Sequence, residues 1–155
     1  MTVEIRTRDT GYSAFLKRLT SPEVTVGVHA EEGSETHEDS DLSVAEIAAI
    51  HEFGLGIDER SWLRDFVDEN REKLLNMLET VAIQTAKGAD PDLVMQRFGL
   101  AVVGMIKKRV TSGIEPGLTE ETKREKQRVT GGGAKDTPLI RFGQFISPIA
   151  HEVSR

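Results

Sequence analysis

The 155-residue sequence predicts an α+β fold: a small antiparallel or mixed sheet packed against two long helices, with an extended loop or arm. Three observations predict it. Val24, Val26 and Val28 alternate with Thr25 and Gly27, the period-two pattern of a half-buried strand. Two long stretches carry apolar residues at helical spacing, and each closes at a glycine, Gly88 and Gly113. Between residues 114 and 137 the apolar pattern vanishes, leaving a polar segment with no core of its own.

In chain order, Val3 and Ile5 alternate with Thr2, Glu4 and Arg6 and read as a first short strand. Tyr12, Phe15, Leu16 and Leu19 follow at helical spacing and stop before Pro22. The second strand covers 23–29, and an acidic loop over 30–42 is punctuated by Gly33, Ser34 and Ser40. Ser43-Val44-Ala45-Glu46 has the form of a capping box, so a helix starts there and stops near Gly54. Trp62, Phe66, Leu74, Leu78 and Val81 trace one long amphipathic helix. Asp90-Pro91 is an N-cap followed by proline at the first helical position. The helix it opens places Val94, Phe98, Val102, Met105 and Ile106 on its apolar face, with Lys107, Lys108 and Arg109 complementing its dipole.

Thr119 is placed to cap a short polar helix, and Gly131-Gly132-Gly133 reads as a hinge. Leu139, Ile140, Phe142, Phe145, Ile146, Ile149 and Val153 then predict a turn plus a strand that rejoins the first two. The predicted core sets Trp62, Phe66, Leu74 and Leu78 against Phe98, Val102 and Met105. One domain over 1–155 is expected, bearing the acidic loop 30–42 and a polar arm over 112–137.

Composition narrows the function. The chain has no cysteine, which excludes disulfides, a thiol nucleophile and Cys-based zinc sites. No signal peptide fits the first residues, and no apolar run approaches the roughly 20 residues of a membrane span, so a soluble protein is expected. The net charge of -6 is carried by Glu31, Glu32, Glu35, Glu38, Asp39 and Asp41, since acids and bases balance elsewhere. Six uncompensated carboxylates are costly to desolvate, so this loop is expected to face solvent or a channel lumen.

No catalytic or cofactor pattern stands out, and neither enzyme activity nor a cofactor is expected. His51-Glu52 resembles the opening of a zinc-protease helix, but position 55 is Leu55 where the second histidine belongs. His37 sits in the acidic loop, and nothing in the sequence pairs His29 with His151. Gly131 to Thr137 lacks the glycine-lysine spacing of a phosphate loop. The basic cluster Lys123, Arg124, Lys126 and Arg128 is diluted by Glu120, Glu121 and Glu125 and has no interleaved aromatic for base stacking. With Ile114 and Leu118 as apolar anchors, this arm suits docking on an adjacent subunit.

Several segments, in order, carry a resemblance: Val44 to Gly54 ending Glu52-Phe53-Gly54, then Ile57-Asp58-Glu59-Arg60-Ser61-Trp62-Leu63-Arg64. Pro116-Gly117-Leu118 with Thr122 and Lys126 follows, and then Pro138-Leu139-Ile140-Arg141-Phe142-Gly143-Gln144-Phe145. Over roughly residues 43 to 155 this set resembles the neck or tail-completion proteins that join head to tail in long-tailed bacteriophages. Asp58 and Ser61 stand where that family has prolines. The resemblance implies a virion protein made in the host bacterial cytoplasm. It would form a homo-oligomeric ring between the head connector or adaptor and the tail terminator or tail tube proteins. Genomic DNA would pass without sequence-specific binding, and no membrane would be involved. A tail terminator or head-completion stopper of the same neck is the alternative, and a non-viral binding module is a further one.

Overall fold

Val24, Val26 and Val28 do form a strand, and its partner comes from the far end of the chain. A computed structural model of the protein describes residues 22–29, 34, 41–130 and 145–154. Strand β1 (Glu23–Val28) pairs antiparallel with β2 (Ile149–Ser154) in a register running from Glu23 opposite Ser154 to Val28 opposite Ile149. Between them come α1 (Val44–Phe53), α2 (Arg64–Glu69), α3 (Arg71–Ala86), α4 (Pro91–Ser112) and α5 (Glu120–Thr130). The fold is α+β. The expected strand over residues 2–6 and the helix around Tyr12 to Leu19 lie outside the described residues.

Local chemistry sets most helix ends. Ser43 caps α1 in a complete capping box with Glu46, and Gly54 ends the helix in the left-handed conformation. Asp90 accepts from the N–H groups of Asp92 and Leu93 at the start of α4, with Pro91 at the first position. The expected single helix from Trp62 to Gly88 is a correction: it is two, α2 and α3, separated at Asn70, and Trp62 lies before the first. The Asn70 side chain turns back and donates to the Phe66 carbonyl at 2.9 Å, so it makes no N-terminal cap for α3.

The sheet and α3 both pack on α4. Their shared core holds Trp62, Phe66, Val102, Ile106, Val110 and Ile149, with Phe98, Met105 and Leu74 partly buried against it. Leu78, expected in the core, is exposed, because α3 turns inward only a narrow stripe that includes Leu74, Met77 and Thr85.

Gly99 is where sheet and helix approach most closely. A Cβ there would sit 2.4 Å from the His151 ring, whose Nε2 lies 2.8 Å from Gln96 Oε1. Gly104, on the same helix, has nothing within 4 Å of its Cβ position. The two glycines therefore have opposite expected outcomes. Gly104→Ala should stabilise by about 0.5–1 kcal/mol through helix propensity. Gly99→Ala should destabilise by about 1–3 kcal/mol through overpacking. Urea denaturation of both variants checks this, and equal signs would refute the close approach.

Candidate functional site

The end of α1 and the turn into α2 form a polar clasp around one carboxylate. Glu52 is 6% exposed. Its Oε1 accepts from the Ser61 hydroxyl, the Arg64 N–H and the Arg64 Nε, each at 3.0 Å. Its Oε2 accepts from the Leu63 N–H at 2.9 Å. A carboxylate from α1 thus satisfies N–H groups that open α2 and meets the positive end of that helix. Burial works to raise the Glu52 pKa, but these four donors outweigh it and hold the carboxyl below its ordinary value. Beside it, the Trp62 Nε1 donates to the Ala48 carbonyl at 3.1 Å.

Arg60 fastens the same turn to a distant segment. Its guanidinium is buried and donates to the carbonyls of Pro116 at 2.8 Å and Gly117 at 3.3 Å. Its backbone N–H donates to the His51 carbonyl at 2.8 Å. The His51 ring is half-buried, and its Nδ1 makes no hydrogen bond among the described residues. Burial, with the nearby Arg60 charge, pushes its pKa down to about 4.

Stability should consequently fall with acid in two overlapping steps. Between the ordinary histidine value of 6.5 and about 4, the unfolded chain binds a proton at His51 that the folded chain refuses, so stability drops as pH falls. Glu52 contributes fully above its ordinary 4.5, and that contribution is lost as pH falls through its lower folded value. Denaturant titrations from pH 7.5 to 3.5 should show both, and His51→Gln should flatten the upper step alone. An unchanged upper step in that variant would refute the assignment.

The clasp holds an apolar loop outward. Phe53, at the end of α1, and Leu55 and Ile57, in the turn that follows, are 57%, 59% and 42% exposed. Gly54 has φ +62°, and a Cβ there would come within 2.9 Å of the Glu59 Cβ, so only glycine fits the turn without strain. Leu55 N–H donates to the Ile50 carbonyl at 3.0 Å, and Arg60 ties off the other end. The Arg64 guanidinium lies 5.1 Å over the Phe53 ring and pairs with Glu59. Three exposed apolar residues are thus held close together on the outside of one tied turn, which makes this turn the candidate site. Sequence reasoning passed over them, although Phe53, Leu55 and Ile57 alternating with Gly54 and Gly56, outside any helical period, was the available signal.

The expected site residues are not gathered into one place. Of the acidic-loop candidates, Asp41 is exposed, while Glu31, Glu32, Glu35, Glu38 and Asp39 lie outside the described residues. Ile114, expected to anchor a neighbouring subunit, is a correction: it is 5% exposed and belongs to the chain's own core. Leu118 is half-buried. With Arg60 gripping Pro116 and Gly117, the start of the expected arm is part of the body. The arm as drawn over 112–137 therefore begins too early. From Thr119, whose hydroxyl accepts the Thr122 N–H at 3.2 Å, α5 continues as far as Thr130. Lys123 pairs with Glu120 at 2.7 Å, Arg124 and Arg128 are exposed, and the Lys126 side chain and the glycine hinge lie outside the described residues.

Among the described residues, no helix is long and apolar enough to cross a membrane, and no three His, Asp or Glu side chains converge as a metal site requires. No protein-family model matches this chain, and no curated protein or solved structure shows significant similarity to it.

Proposed function

We propose that this chain is a structural, non-enzymatic subunit that assembles with copies of itself into a phage neck ring joining the head connector to the tail. The observation that carries self-association is the apolar loop Phe53, Leu55 and Ile57, held outward by Glu52 and Arg60. A surface this apolar costs solubility in a monomer and gains free energy when covered. The neck assignment is supported by the ordered sequence resemblance. Its residues Glu52, Gly54, Arg60 and Trp62 fall within one turn and its supports.

Sedimentation velocity over a range of concentrations, with electron microscopy of the largest species, tests the proposal. The 17.1 kDa chain should populate a much larger, annular particle. A variant carrying Phe53→Ser, Leu55→Ser and Ile57→Ser should be monomeric with an unchanged circular dichroism spectrum. A wild-type protein that stays monomeric at every concentration would sink the reading.

A further inference from the structure

We propose that the apolar loop of one copy seats in an open groove at the other end of α2 on a second copy. The contact rests on the self-association proposed above and names its two faces. The groove lies where α2 gives way to α3 and α4 ends, and it encloses about 260 Å³. Half-buried Met105, beside the edge of the core residue Phe66, supplies apolar surface, and Lys73, Lys108 and Arg109 line the groove with positive charge, beside Asn70 and Ser112. That volume admits a branched aliphatic side chain.

The chemistry of the two faces matches. Arg109 is already paired with Glu69 and lies 3.9 Å from Asp65, so its charge is largely met within the chain. Lys73 and Lys108 have no carboxylate at ion-pair distance among the described residues, which leaves two ammonium groups beside an apolar floor. The loop offers the complement: Ile57 is apolar and exposed, and Asp58 follows it with an exposed carboxylate that makes no ion pair among the described residues. Ile57 fills the groove, and Asp58 meets Lys108 or Lys73 at its edge. A free phosphate would use the ammonium groups and waste the apolar floor.

The occupant is a second copy because the loop cannot reach its own groove. Glu52 and Arg60 tie it at the N-terminal end of α2, while the groove is at the C-terminal end, about 9 Å further on at the rise of a six-residue helix. Two different faces on one chain give a contact that repeats head to tail, which closes into a ring where the rotation between copies closes and runs on as a filament where it does not.

The absence of native cysteine makes the test direct. Ile57→Cys and Ser112→Cys are made separately, both at exposed positions, then mixed and mildly oxidised. Disulfide-linked dimers should form between the two variants and not within either alone. Lys108→Glu should weaken self-association at least about tenfold, and Asp58→Lys in the same chain should restore it. If wild-type protein assembles but the mixed pair does not crosslink, the groove is the wrong receptor and self-association stands. If wild-type protein is monomeric, both proposals fall. Crosslinking unaffected by inorganic phosphate supports the loop as occupant, whereas phosphate that binds the groove and abolishes crosslinking at micromolar concentration overturns it.

Discussion

Trp62→Ala should cost about 3–5 kcal/mol and lower the melting temperature by roughly 6–20 °C. Trp62 is 3% exposed, and its ring meets Phe145 edge-on at 5.3 Å between centroids. Removing the indole opens a cavity between α1 and the segment that leads into β2, and it also removes the Nε1 donor to Ala48. Trp62→Phe keeps most of the volume and should cost about 1–2 kcal/mol. Thermal melts followed by circular dichroism check the pair. Equal losses in the two variants would show that packing is not what the indole contributes.

Glu52→Ala should cost on the order of 3 kcal/mol, since it strands the Leu63 and Arg64 N–H groups and the Ser61 hydroxyl together. The loss differs in kind from that at Trp62. It should be accompanied by faster hydrogen exchange over residues 54–63, because the turn loses its carboxylate tie to α1. Glu52→Gln keeps the size but replaces an acceptor oxygen by an NH₂ facing other donors, and should recover less than half of the loss. Full recovery in the glutamine variant would contradict the arrangement of donors around Glu52.

The features legible in the sequence are those encoded within a few residues. The Ser43 to Glu46 capping box, the Asp90-Pro91 start, the left-handed Gly54 and the alternation of Val24, Val26 and Val28 each depend on neighbours. The break at Asn70 was not legible. The start of α2 is set by Glu52 from another helix, and the apolar periodicity runs across the interruption unchanged. Ile114 was misplaced for a related reason: one apolar residue in a polar run looks like an outward anchor until Arg60 is seen to draw Pro116 and Gly117 inward. The outward loop was missed because exposure follows from the clasp beneath it, and that clasp is made by Glu52, Arg60 and Arg64 together.

The β1–β2 ladder joins residues 23–28 to residues 149–154, and this sets an order of events during synthesis. Helices α3 and α4 are neighbours joined by a short turn and can pair as soon as both are made. The sheet cannot form until the codons for residues 149–154 have been read, some 120 residues after β1. Closing so long a segment delays the ladder, so β1 and the face of α4 around Gly99 stay uncovered on the nascent chain. Until β2 is made, that face is open to whatever apolar surface it meets, and β2 closes it.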